Sequence, residues 1–160
     1  MGGTRVTRRA YLLGGLVGAT LIGAGIAPGL AQTEVIQSQD TNTGGLIAEI
    51  TQCKRKDGVL TIKVRVRNTS SKKGNIYFTN GYGTYDRYYV TAGDQKYFVL
   101  RDTEGVPLAT DEAGGYTNID FEKDASYTWW AKYPAPPPEV TSVTFYSPFA
   151  PPFEDIPITD

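Results

Sequence analysis

Histidine is absent from this 160-residue sequence, and cysteine occurs once. Without histidine the chain cannot form a Ser-His-Asp triad or a Cys-His pair, and it lacks the usual ligands of zinc. The single cysteine, Cys53, excludes an intramolecular disulfide. Glycine-rich phosphate loops, dinucleotide-binding fingerprints and helix-loop-helix calcium motifs are also missing. We therefore predict a protein that is not an enzyme and that carries no cofactor.

Long apolar runs are scarce as well, and the one that stands out lies near the N-terminus. Residues 10–26 carry no charge, are diluted by glycine, and follow a basic segment that contains Arg8 and Arg9. Small residues at Gly29 and Ala31 fit the positions that a signal peptidase reads. We predict a cleavable signal peptide over residues 1–31, because the run is too short and too glycine-rich to span a bilayer.

The sequence Thr-Arg-Arg-Ala-Tyr-Leu at residues 7–12 resembles the twin-arginine export motif. A general secretory signal is the alternative. Either route predicts export across the cytoplasmic membrane to the periplasm or the medium, with no transmembrane span in the mature chain.

The charge of the chain after residue 31 is mildly acidic, with thirteen basic and seventeen acidic residues. A nucleic-acid partner would demand a basic domain, so this balance argues against one. The length of the mature chain suits one domain with one core.

Residues 60–67 alternate between apolar and polar side chains, the two-residue period of a half-buried strand. The residues expected in the core are Leu60, Ile62, Val64, Val66 and, from a later strand, Val99. Those expected outside are Lys63, Arg65 and Arg67. Residues 48–53 form a second strand candidate with the same period.

Asp57-Gly58 separates these two candidates and suggests a hairpin. A two-residue turn would place Ile50 opposite Arg65 and mix apolar with basic residues on one face. A three-residue loop, residues 56–58, would place Ile50 opposite Val64 instead. We favour the longer loop.

Further strand candidates follow at short intervals, and no window after residue 31 has helical periodicity. This pattern predicts an all-β fold, an antiparallel sandwich or barrel. Residues 32–45 are polar and aperiodic, which predicts a flexible leader before a domain over residues 46–160. The tail from Ser147 contains four prolines, which cannot donate ladder hydrogen bonds, so we expect it at a sheet edge.

Four segments carry a family resemblance: residues 96–102 (KYFVLRD), 107–109 (PLA), 127–137 (YTWWAKYPAPP) and 151–158 (PPFEDIPI). They resemble a group of exported bacterial immunoglobulin-like domains, similar in layout to telokin-like secreted domains. The resemblance covers roughly residues 46–158 and implies an immunoglobulin-like antiparallel β-sandwich, preceded here by a signal peptide. It supplies no functional residues, because the function of that group is unsettled.

Residues 77–89 contain five tyrosines and two glycines. Tyrosines on a glycine-rich loop make good contact surfaces, so we expect Tyr82 and Tyr85 to point outward together, with Tyr88 as a third candidate contact. The alternative is that these tyrosines fill the core and its rim.

Trp129 and Trp130 are adjacent in a strand candidate and must point to opposite faces. We take Trp130 as a fourth candidate contact, with coverage by the proline-rich tail as the alternative. The basic stripe of Lys63, Arg65 and Arg67 suits an anionic envelope polymer, and an ordinary solvated strand face is the alternative.

These observations favour a non-enzymatic exported binding or docking module, with an envelope protein or polysaccharide as partner and no nucleic acid. An accessory domain docked on a larger envelope assembly is a second hypothesis. A glycosidase-like hydrolase that uses paired carboxylates is the alternative of another class. Its candidate pairs are Asp111 with Glu112, Glu122 with Asp124, and Glu154 with Asp155.

Overall fold

The computed structural model of the protein describes residues 34–110 and 115–160, and this part of the chain is all-β, as predicted. The predicted signal peptide, residues 1–31, lies outside the described residues. The strands in chain order are β1 (Gln37–Asp40), β2 (Leu46–Lys56), β3 (Val59–Asn68), β4 (Gly74–Asn80), β5 (Tyr89–Ala92), β6 (Gln95–Phe98), β7 (Tyr116–Phe121), β8 (Ser126–Pro134), β9 (Ser142–Tyr146) and β10 (Phe153–Pro157). A 3-10 helix, Tyr82–Arg87, connects β4 to β5.

The strands pair antiparallel in two four-stranded sheets and one two-stranded sheet. The first sheet has the order β1-β2-β3-β8, the second the order β10-β9-β5-β6, and β4 pairs with β7. Among residues 34–110 and 115–160, no helix is long and apolar enough to cross a membrane.

The inward face of the first sheet follows from the alternation in β3. The expected core residues Leu60, Ile62, Val64, Val66 and Val99 are all buried, which confirms the predicted strand phase. Lys63 and Arg67 are exposed on the opposite face, and Arg65 is half-buried there.

The hairpin between β2 and β3 reaches the expected register by an unexpected route. Ile50 lies opposite Val64, as predicted, but Lys56 already pairs with Val59, so the turn has only two residues, Asp57 and Gly58. Both turn residues have positive φ, 50° and 75°, the geometry that two-residue hairpin turns require. A bulge between Ile50 and Gln52 shifts the register by one residue and restores the apolar pairing. The predicted three-residue loop is therefore wrong.

Large aromatic residues join the two four-stranded sheets in one core. The ring of Trp129 on β8 stacks with that of Phe145 on β9, with centroids 5.9 Å apart. Phe145 in turn contacts Phe153 on β10. Val90 on β5 is also fully buried in this core.

The predicted flexible leader is corrected for its described part. Residues 37–40 form β1, which pairs with residues 47–50 of β2, and the backbone N–H of Asn42 donates to Phe149 O at 2.8 Å. The segment has no apolar period because it is an edge strand held by backbone hydrogen bonds. The described domain therefore begins before Leu46.

The C-terminal tail lies at sheet edges, as expected from its prolines. Among the described strands, β10 pairs with β9 and stands at the edge of the second sheet. Beyond it, the N–H of Thr159 donates to Cys53 O at 2.9 Å, on the edge of β2. Arg55 binds the C-terminal residue, since its Nε lies 2.7 Å from Asp160 Oδ1. Its Nη1 also donates to Pro137 O at 2.9 Å.

Candidate binding surface

The tyrosine segment is arranged differently from the expectation. Tyr85 and Tyr88 are fully buried, and their hydroxyls donate to Thr110 O and Phe78 O respectively. A 3-10 helix repeats every three residues, which brings both rings to its inward side. Burial raises the pKa of Tyr88 far above its usual value, with a smaller contribution from Tyr85. The expected outward display of Tyr85 is therefore wrong, and Tyr88, a candidate contact, is buried as well.

Tyr82 is half-buried, and it lies against Gly115 at the start of β7. A Cβ on Gly115 would come within 2.5 Å of Tyr82 Cδ1, so this glycine is required for the contact. The exposed rings of the region are instead Tyr77 and Tyr116, which are 68% and 58% exposed. Tyr116 was not among the predicted contacts.

A second aromatic cluster lies on the outer side of the second sheet. Tyr89 stacks on Tyr146 with ring centroids 4.6 Å apart, and Phe98 lies 6.1 Å from Tyr89. The ammonium of Lys96 lies 3.9 Å from the centroid of Tyr89. The Lys96 ammonium already makes a cation–π contact with Tyr89, so this ring has a partner within the chain.

Trp130 points outward from β8, because its neighbour Trp129 is buried and adjacent strand residues point to opposite faces. It is half-buried and lies opposite Lys63 of β3. Thr110 holds its backbone, since the N–H of Trp130 donates to Thr110 Oγ1 at 2.8 Å and the N–H of Thr110 donates to Trp130 O at 2.8 Å. Coverage of this ring by the proline-rich tail stays an untested alternative.

Strand register places the other outward residues of the first sheet around this tryptophan. Between β2 and β3, Gln52 pairs with Lys63, Lys54 pairs with Thr61, and Glu49 pairs with Arg65. On the other side of β3, Thr61 pairs with Lys132 of β8. We call this surface of β2, β3 and β8 the basic face. Its charged members are Lys54, Lys56, Lys63, Arg65, Arg67, Lys132 and Glu49.

Cations dominate the basic face. Of the residues that the structure describes, six of the thirteen basic residues lie there but one of the fifteen acids. The ion pairs between described residues involve none of its four lysines. Asp40 on β1, opposite Ile47, is the next carboxylate along this sheet.

Glu49 is buried and holds the two arginines of the basic face in place. Its Oε2 accepts from Arg65 Nε at 2.8 Å, and its Oε1 accepts from Arg67 Nε at 2.8 Å. Burial alone would raise the pKa of Glu49, but the hydrogen bonds from Arg67 and Arg65 outweigh it and hold the pKa below its usual value. One carboxylate shared by two guanidinium groups leaves the trio cationic.

The sequence contains a signal for this trio, although the trio was not predicted. The predicted pairing of Ile50 with Val64 also places Glu49 opposite Arg65, in a cross-strand position that favours opposite charges. Following the predicted register one residue beyond the pair Ile50 and Val64 would have identified the ion pair between Glu49 and Arg65.

The structure describes two of the three candidate carboxylate pairs. Asp111 and Glu112 lie outside the described residues. Glu122 lies 3.0 Å from Lys73 Nζ, and both Glu154 and Asp155 are exposed on β10. A pocket of about 470 Å³ beside β2 contains one carboxylate in its lining, Glu34. The described residues also contain no cluster of three or more metal-ligating side chains.

The fold and this surface define an all-β protein of antiparallel sheets with one strongly basic sheet face. No known family matches the sequence, and neither a characterised protein nor a solved structure shows significant similarity to it.

Proposed function

We propose that the protein is a non-enzymatic, exported binding module that contacts an anionic partner of the cell envelope through the basic face. The observation that supports this proposal most strongly is the six-to-one ratio of cations to carboxylates on one rigid sheet face. The rest of the chain has more acidic than basic residues, so the basic residues are concentrated on this face. Such a face attracts anionic surfaces and raises the rate of encounter with them.

Two further parts of the proposal rest on the sequence and the sheet architecture together. Two antiparallel four-stranded sheets that share a core support an immunoglobulin-like sandwich. The basic, then apolar, then small-residue pattern of residues 1–31 supports export, to the periplasm or the medium. An envelope protein or polysaccharide is then the available partner, and the acidic balance of the rest of the chain disfavours nucleic acid.

The rigidity of the face supports binding rather than a merely solvated surface. Strand pairing with β3 and a hydrogen bond to Thr110 fix the backbone of Trp130, and ion pairs with Glu49 fix the guanidinium groups of Arg65 and Arg67. Groups that are already ordered lose less conformational entropy when a partner binds.

Co-sedimentation with the isolated cell envelope of the source organism tests the proposal. The purified protein should pellet with the envelope, and the double variant Lys63→Glu, Lys132→Glu should stay in the supernatant. The matched control is Lys72→Glu, Lys123→Glu, which makes the same charge change in exposed loops outside the strands of the basic face. If both double variants lose co-sedimentation equally, binding depends on net charge alone and the basic face has no special role. If the Lys63→Glu, Lys132→Glu variant still pellets with the envelope, the proposal is refuted.

A further inference from the structure

The basic face contains one large aromatic ring among its cations, and this combination indicates a particular chemistry of partner. We infer that the face binds an acidic polysaccharide, with Trp130 stacking on a sugar ring while the neighbouring lysines bind its carboxylates. This inference rests on the proposed function and names the partner class of the same surface.

The arrangement around Trp130 fits a chain of charged sugars. Lys63 lies directly across the strand pair and Lys132 lies two residues along β8 on the same face. These positions are separated by about 5 Å across the strands and about 7 Å along them. A sugar ring stacked on the indole would therefore have a cation on two sides, within reach of its carboxylate and of those on adjacent sugars.

The indole is suited to a sugar because a pyranose ring has an apolar C–H face and a polar rim. Aromatic rings pack against such faces, and they contribute most when their orientation is already fixed. Two backbone hydrogen bonds to Thr110 fix the strand position of Trp130. Thr128, exposed two residues away on the same face, offers a hydroxyl beside it.

The same observations disfavour an anionic lipid surface. Binding to a membrane interface requires several apolar side chains that enter the acyl region. The outward positions of β3 between Val59 and Asn68 are Thr61, Lys63, Arg65 and Arg67. The outward apolar side chains of the face are Trp130, Ile47 and Val59, all half-buried at strand level. They supply little insertion into a membrane, whereas one indole suffices for one stacked sugar.

Titration with two defined polyanions tests the inference. Polygalacturonate offers carboxylates on sugar rings, and poly-glutamate offers carboxylates without sugars, at matched carboxylate concentration and salt. We expect the protein to bind polygalacturonate about tenfold more tightly, a difference of about 1.4 kcal/mol in binding free energy. Trp130→Ala should remove this preference and leave the poly-glutamate affinity unchanged.

Matched variants separate this inference from the proposed function. Tyr77→Ala, which removes an exposed ring from β4, should change neither affinity, and Lys63→Glu with Lys132→Glu should weaken both. Trp130→Leu keeps an apolar side chain without a ring, and should also lose the preference if Trp130→Ala folds poorly. Equal affinity of the unaltered protein for the two polymers, or a preference that survives in the folded Trp130→Leu variant, would overturn the inference. Envelope co-sedimentation judges the proposed function separately.

Discussion

The phenol ring of Tyr88 stacks on the indole of Trp129, with centroids 4.5 Å apart and planes 23° apart. Tyr88 follows the 3-10 helix between β4 and β5, whereas Trp129 lies on β8 of the first sheet. The contact ties the connection between the sheets to the centre of the core. A residue that the sequence suggested as a surface contact therefore has a structural role.

Truncation of Tyr88 measures that role. Tyr88→Ala should lower the free energy of unfolding by about 3–5 kcal/mol, because it leaves a ring-sized cavity. Tyr88→Phe should cost about 1 kcal/mol, since only the hydrogen bond to Phe78 O is lost. Urea unfolding measures both, with Tyr77→Ala as the exposed control. Stability of Tyr88→Ala equal to that of the control would contradict the assigned position of the ring.

The turn between β2 and β3 gives a prediction about backbone conformation alone. Gly58 has φ of 75° and no atom within 4 Å of the position of a Cβ, so Gly58→Ala meets no steric clash with neighbours. It should still cost about 1 kcal/mol, because a left-handed conformation strains any residue with a Cβ. Asp57→Asn should be tolerated, since asparagine adopts this conformation readily. Chemical denaturation of the two variants side by side checks the difference, and unchanged stability of Gly58→Ala would argue against the two-residue turn.

Cys53 should behave as a protected thiol. Burial raises its pKa to about 12, against a weaker opposite influence of Arg55, so the reactive thiolate is scarce at mildly alkaline pH. We expect slow labelling by a thiol-specific reagent in the native protein and fast labelling in denaturant. Rapid labelling under native conditions would show that the edge of β2 opens there.

Glu49 should make stability depend on pH. Its pKa in the folded protein lies below the usual 4.5, so the ionised carboxylate contributes stability that is present above that value and is lost as the pH falls through the folded pKa. Glu49→Gln should therefore cost about 1 kcal/mol near neutral pH, and the difference from the unaltered protein should shrink under acid. Glu122→Gln on the exposed surface is the control. A difference that does not vary with pH would show that the ion pairs contribute nothing.

The period of two in β3 was enough to predict which of its residues are buried, because one face of that strand meets the core and the other meets solvent. The pairing of Ile50 with Val64 followed from the same rule. The bulge at Thr51 could not be predicted, since a three-residue loop gave the apolar pairing without a bulge and the sequence around Thr51 does not mark one.

Other features escaped prediction because backbone contacts create them. Strand β1 has no apolar alternation and forms through hydrogen bonds to the edge of β2. The 3-10 helix at residues 82–87 changed the side-chain period from two to three, which carried Tyr85 and Tyr88 into the core. Of the candidate contact residues, Trp130 keeps a place on the proposed surface, because its outward position followed from adjacency to Trp129.

Lysine acetylation footprinting, with and without the isolated cell envelope, tests the central claim most directly. The envelope-bound protein should show reduced labelling of Lys63 and Lys132, while Lys72 and Lys123 in the loops should react as they do in the free protein. Unchanged labelling of Lys63 and Lys132 in the bound state, with protection confined to other lysines, would contradict the assignment of the basic face as the contact surface.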